Sequence, residues 1–305
     1  MPTGLFRRHP TAIAIATCSV VALAGLLAFA LALRDCHFDV PLGRCLNWSL
    51  IVRNSELMAN GQPATPRATE HRVSLVSIGP GPGDTAWITG TASGPPQSLQ
   101  LLRVPGDGRA RLILPDGRSG DVGTTLAGFD FNLLPLPEGA EHEWRTDIAW
   151  AALPHDRRAV NCLVKRQRSG PRPEFRCEFP PSVEWIDPFT KRYRQVRGLI
   201  AIYCFDTLRG VPISATVTFR IFDEMPQPDG MRGREVRLEL TWIGSSSIGN
   251  VARMRSIAQA GALAESLIAA HRTPPAELIS RLRAADGPFA GIADGLLARL
   301  AAGRP

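Results

Sequence analysis

The sequence predicts a mainly β fold: an antiparallel meander forming a sandwich or open barrel, with short C-terminal α-helices and one N-terminal transmembrane helix. Three observations predict it. Apolar and polar side chains alternate with period two in residues 211–222 and 236–242, as in strands with one buried face. The 28 glycines and 26 prolines supply turns, which favours short strands over long helices. Residues 11–33 carry no charged side chain at all.

In chain order, residues 1–10 are expected to be a short cytoplasmic tail and 11–33 the transmembrane helix. A helix of that length spans about 34 Å, against a hydrocarbon core of about 30 Å. Arg7, Arg8 and His9 precede the run and Arg34 and Asp35 close it, the plan of a signal anchor. Ala28, Ala30 and Ala32 offer A-x-A cleavage patterns, but the run is longer than a signal peptide's apolar region, so retention is expected. Arg34 and Asp35 stand where a lipidation signal before Cys36 would need small residues.

Residues 34–70 read as a juxtamembrane linker, with Cys36 and Cys45 enclosing a loop that contains Pro41 and Gly43 and forming a candidate local disulfide. Basic residues near the two ends of the apolar run nearly tie, Arg7 and Arg8 against Arg34, Arg44 and Arg53. Five cysteines lie beyond the run, at 36, 45, 162, 177 and 204. Read as disulfide partners, they favour an oxidising compartment, hence a single-pass protein with its C-terminal domain extracytoplasmic.

Residues 71–243 form the expected β domain, with strands at 71–78, 85–91, 98–104 and 109–114 bounded by Gly, Pro or Asp. The GPGPGD segment at 79–84 lacks the Gly-Lys-Ser/Thr ending of a phosphate loop and reads as a turn. Residues 159–166 and 174–179 make a hairpin. Pairing Val160 with Phe179, Cys162 with Cys177 and Val164 with Phe175 puts every apolar side chain on one face and makes Cys162 and Cys177 a candidate disulfide, with Cys204 as rival partner. A second hairpin joins 199–206 to 211–222 around 207–210, and a further strand follows through 236–242.

Residues 244–305 change to Ala, Leu and Arg and read as a helical C-terminal subdomain. Ser245–Ser247 are candidate caps. Ile248, Val251, Met254, Ile257 and Gly261 have helical spacing, as do Leu278, Ile279 and Leu282, then Ile292, Leu296, Leu297 and Leu300.

Residues 134–139 (LPLPEG) and Trp144 lead into the hairpins, and Phe205, Asp206, Gly210 and Pro212 follow as F-D-x-x-x-G-x-P before the long alternating strand. This layout, over about residues 130–242, resembles uncharacterised β-rich cell-envelope proteins of bacteria. The resemblance implies a β-rich fold and an envelope location, and brings no assigned activity with it.

The six histidines have no H-E-x-x-H spacing. Glu141, His142 and Glu143, with His155 and Asp156, are the densest group of metal-ligand types, and a polar loop is the simpler reading. Gly244 to Gly249 do not form G-x-S-x-G. No catalytic residue, metal or cofactor is therefore assigned. The net charge of +7 suits anionic lipid, cell-wall polymer or another envelope protein, and is too small and too dispersed for nucleic acid. Lys165, Arg166, Arg168, Arg172 and Arg176, with Lys191, Arg192, Arg194 and Arg197, form a candidate basic surface. The expected protein is a membrane-anchored extracytoplasmic binding or structural module. The alternatives are a motif-poor envelope enzyme such as a hydrolase, and a secreted soluble protein with a cleaved signal peptide.

Overall fold

The computed structural model describes residues 36, 41–58, 60–78, 133–137, 141–149, 159–186, 193–222 and 233–302, together with the backbone of six further strands between residues 84 and 130. The expected tail and transmembrane helix lie outside the described residues. Among the described residues no helix is long and apolar enough to cross a membrane.

The strands in chain order are β1 (Arg44–Glu56), β2 (Arg67–Ser77), β3 (Asp84–Thr91), β4 (Pro96–Arg103), β5 (Arg111–Ile113), β6 (Ser119–Gly120), β7 (Thr125–Leu126), β8 (Phe129–Asp130), β9 (Glu143–Ala149), β10 (Ala159–Arg168), β11 (Glu174–Glu178), β12 (Ser182–Ile186), β13 (Tyr193–Asp206), β14 (Val211–Phe222) and β15 (Gly233–Ser247). Helices α1 (Val251–Ala269), α2 (Ala276–Arg283) and α3 (Ala290–Ala302) follow. All but β7 and β8 join one open antiparallel sheet, ordered β6-β5-β4-β3-β2-β1-β15-β14-β13-β11-β10-β9, with β12 also on β13. The mainly β, antiparallel expectation therefore holds, as an open sheet with short C-terminal helices.

The two faces of this sheet bury different things. On the inner face, Leu46, Trp48, Leu50 and Val52 of β1 join Val73 and Leu75 of β2 and Val236, Leu238 and Leu240 of β15. The same core continues through Ala215, Val217 and Phe219 to Phe175, Cys177, Cys162, Val164 and Ile148. On the opposite face, Cys45, Val76 and Ile78 pack against Met254, Ile257, Leu278, Leu282, Ile292 and Leu296 of the helices. The split follows from strand periodicity: neighbours such as Cys45 and Leu46 must point to opposite sides.

Residues 34–70, expected as a linker, contain all of β1 and the start of β2. β1 sits mid-sheet between β2 and β15. Its alternation of Leu46, Trp48, Leu50 and Val52 with Asn47, Ser49 and Arg53 is a strand signal that the linker reading passed over. The helix expected to be capped within Ser245–Ser247 begins later, because those serines extend β15 along β1. Asn250 caps α1, its side-chain oxygen accepting the Arg253 N–H at 3.0 Å. The apolar stripes predicted for the helices do face a core, with Met254, Ile257, Leu278, Leu282, Ile292, Leu296 and Leu300 all buried.

The first hairpin differs in register. Val164 lies opposite Cys177 and Arg166 opposite Phe175, two residues from the expected pairing. An even shift keeps every side chain on its predicted face, which is why the burial pattern alone could not exclude it. β11 and β12 run along the same neighbour, β13, on either side of Pro180 and Pro181. Gly198, at φ 62, takes the matching irregularity in β13, and its N–H reaches the Pro181 carbonyl at 3.3 Å.

Candidate functional site

The thiols come first because the expected disulfides rested on them. With the observed register, Cys162 is a diagonal neighbour of Cys177 rather than its opposite. Diagonal neighbours lie roughly 7–8 Å apart, beyond the about 4.4–6.8 Å at Cα that a disulfide tolerates. Cys36 and Cys45 are separated by the sheet itself, Cys36 in the inner core and Cys45 against the helices. All five described cysteines are free thiols, and both expected disulfides are corrected accordingly. Cys204, the rival partner, is half-buried, and its thiol points to the Arg172 carbonyl at 3.7 Å.

On the inner face the Cys162 and Cys177 thiols are hydrogen-bonded. That bond, then burial, pushes Cys177 well above the usual thiol range. Tyr203 is pushed up first by burial and then by Cys177. Its hydroxyl donates to the Pro135 carbonyl, fastening the segment 133–136 across the inner face. Cys36 lies within electrostatic reach of the same tyrosine. Phe175 completes the group, with ring centroids 5.1 Å from Tyr203 and 5.8 Å from Trp144.

The residues that carry the envelope-protein resemblance have structural work. Phe205 is core, and Gly210 supplies the positive φ, 66°, that closes the 207–210 turn. The Pro212 carbonyl accepts the Trp48 indole N–H at 2.8 Å. Asp206, only 2% exposed, organises the turn. Its Oδ1 accepts the N–H groups of Leu208 and Arg209, each at 3.0 Å. Its Oδ2 takes the Arg209 guanidinium, with Arg172 Nε at 3.7 Å. Replacing Asp206 with alanine strips an acceptor from two N–H groups. The expected cost is roughly 1–3 kcal/mol, with Asp206→Asn losing less. Thermal unfolding of the two variants measures it, and equal losses would mean that the acceptor oxygen is not what the turn needs.

The candidate basic surface does not form as one patch. Lys165, Arg176 and Arg197 lie on the polar outer face, whereas Arg166 points inward, its guanidinium 5.5 Å from the Phe175 ring centroid. Arg194 shares the inward parity of Val196 and carries a buried Nε. Lys165 Nζ and Arg176 Nε both donate to Glu178, at 3.1 and 3.0 Å, and hold its carboxyl below the usual range. Arg197 covers the Phe222 ring at 5.2 Å. Arg168, at the end of β10, and Arg172, in the β10–β11 loop, are exposed. Lys191 and Arg192 lie outside the described residues. Alternation along strands explains the scatter: basic residues adjacent in sequence are sent to opposite faces.

A different grouping appears at one rim of the sheet. The pairings align the starts of β1, β14 and β11 with the ends of β2, β15, β13 and β10. Here the β10–β11 loop docks on the β13–β14 turn, the Thr207 N–H and hydroxyl bonding the Pro171 carbonyl at 3.0 and 3.1 Å. Leu208, 59% exposed, is the tip of that turn. Ile243, 54% exposed, is the extra residue of a bulge where Trp48 faces Trp242 and Asn47 faces Gly244. Leu42, 55% exposed, lies just before β1. Arg44, Arg168, Arg172 and Arg209 are exposed along the same rim, Arg44 at the start of β1, Arg168 at the end of β10, and Arg172 and Arg209 on Asp206. Sequence reasoning missed this rim because its members come from four distant segments, and only strand pairing brings them together.

His142 is exposed beside β9 and its carbonyl accepts the Arg166 N–H at 2.8 Å. His155 and Asp156 lie outside the described residues. Among the described residues no three His, Cys, Asp or Glu side chains are grouped to hold a metal.

No family model matches the chain. No curated protein matches it either. Eleven chains of solved structures do match. One, from a study of lipid–protein interactions in lipovitellin, aligns with 69% of this chain at 11% identity and a TM-score of 0.44. The aligned part covers 26% of that protein's chain. At that score and identity the two share neither a demonstrable fold nor an inferable activity.

Proposed function

We propose that the chain is a membrane-anchored module of the cell envelope, its sheet domain outside the cytoplasm, that binds or scaffolds rather than catalyses. The observation that carries this reading is the position of Cys36. It is 3% exposed within the inner core, beside Tyr203. The uncharged run ends at Leu33, three residues earlier. Three extended residues reach only about 10 Å. A membrane helix over 11–33 would thus hold the sheet within about 10 Å of the bilayer. The order of basic residues, then apolar run, then folded domain supports an outward orientation. The free thiols withdraw the support that disulfides would have added. Two buried polar groups, Asp206 and Tyr203, are each engaged in holding a turn or a strap, which suits a scaffold.

Two measurements test the reading. Alkaline carbonate extraction should leave the full-length mass in the membrane pellet. A soluble product beginning near Leu31 or Leu33 would show cleavage instead. A reporter fused after Pro305 should be active in the oxidising compartment, and activity confined to the cytoplasm would reverse the orientation.

A further inference from the structure

We propose that the rim formed by Leu42, Leu208, Ile243 and the arginines around them is a docking surface for the anionic lipid headgroups of the membrane that holds the anchor. The inference rests on the anchored reading and specifies which part of the domain meets the bilayer.

Three independent features converge there. The first is chain continuity. β1 begins at this rim, and Cys36, only three residues beyond the apolar run, is buried near Tyr203, three residues from Asp206 at the same rim. The rim is therefore the part of the sheet that the chain itself brings closest to the lipid. The second is apolar exposure. Leu42, Leu208 and Ile243 are large, more than half exposed, and contributed by neighbouring strands β13 to β15 and β1. With strands about 4.8 Å apart, the three tips fall within roughly 15–20 Å of one another. Two of them have a structural cause for standing out, a turn tip and a bulge, so neither is a core residue displaced by poor packing. The third is charge. Arg172 and Arg209 both reach Asp206 at the base of the Leu208 turn, Arg168 ends β10 and Arg44 opens β1, and all four are exposed. Among the described residues the nearby acids are Glu174, opposite Arg168, and Asp206, buried beneath Arg209 and Arg172. Glu141 and Glu143 lie further along, at the β9 end.

Exposed apolar tips ringed by arginine match the chemistry of a bilayer surface. The apolar side chains enter the boundary beneath the headgroups, and each guanidinium pairs with phosphate. The opposite rim also presents exposed apolar residues, Met58 and Ile186, but there the exposed Arg67 and Arg234 stand among the acids Glu56 and Glu184.

The test uses the full chain reconstituted with vesicles of phosphatidylcholine alone or of equal parts phosphatidylcholine and phosphatidylglycerol. Flotation reports attachment, and amide hydrogen exchange reports contact. Amides of 168–174 and 207–211 should exchange more slowly in the phosphatidylglycerol vesicles, while those of 182–186 should not change. Replacing Arg168 and Leu208 with glutamate, both exposed, should abolish that protection while flotation persists. Each arginine lost should weaken the contact roughly fivefold. Flotation with both vesicles but equal exchange at both rims overturns the docking surface and leaves the anchor standing. Flotation only with phosphatidylglycerol supports the rim and removes the anchor. Flotation with neither overturns both.

Discussion

Replacing Trp48 with alanine is expected to cost about 3–5 kcal/mol, a large share of a domain's stability. The indole is fully buried and forms an edge-to-face pair with Trp242, ring centroids 5.1 Å apart at 71°. Its N–H crosses β15 to reach the Pro212 carbonyl of β14 at 2.8 Å. One side chain thereby ties three consecutive strands at the middle of the sheet. Trp48→Phe keeps most of the ring contact but leaves the buried carbonyl without its donor, so roughly 1–3 kcal/mol should be lost. Chemical denaturation of the full chain, followed by circular dichroism, separates the two effects. If phenylalanine were as costly as alanine, the hydrogen bond rather than the packed ring would dominate. Values within about 0.5 kcal/mol of the parent would mean that the indole is not buried as described.

What the sequence disclosed divides along a physical line. Period-two alternation found β14 to the residue, most of β10, β11 and β13, and the middle of β15, because each of those strands buries one face and exposes the other. It also found the apolar stripes of the helices. The same rule would have found β1, where Leu46, Trp48 and Leu50 alternate with Asn47 and Ser49. The nearness of the apolar run and of Pro41 and Gly43 led instead to a linker. Register was less accessible, since a shift of two residues preserves the faces, and only the docking of the 169–173 loop on the 207–210 turn selects one pairing. The basic residues show the limit from the other side. Counting them along the chain gave one surface, whereas strand geometry divides Lys165 from Arg166 and gathers Arg44, Arg168, Arg172 and Arg209 from separate segments. Contacts of that kind depend on sheet order, which alternation does not encode.

Alkaline pH is expected to destabilise the fold from about pH 8.5 upward. Burial raises Cys45, the Cys162 hydrogen bond and burial raise Cys177, and burial raises Tyr203. In the unfolded chain, cysteine releases its proton near pH 8.5 and tyrosine near pH 10. Above those values the native state holds more protons than the unfolded one, so stability falls as pH rises. Burial raises the half-buried Cys204 as well. Below about pH 8.5 the contribution of these groups is fully present. Each group removes about 1.4 kcal/mol per pH unit once its unfolded counterpart has ionised, until its own raised value is reached. Cys45, Cys177 and Cys204 set the slope between about pH 8.5 and 10, and Tyr203 adds to it beyond pH 10. Denaturation at a series of pH values, with reductant present to keep the thiols free, measures this slope directly. Cys177→Ala should reduce it below pH 10 to the part that Cys45 and Cys204 supply. Tyr203→Phe should lower stability at neutral pH, by removing the bond to Pro135, yet flatten the fall above pH 10. An unchanged slope in Cys177→Ala below pH 10 would mean that the thiol ionises freely within the fold, and that the inner face around Cys162, Cys177 and Tyr203 is open to water.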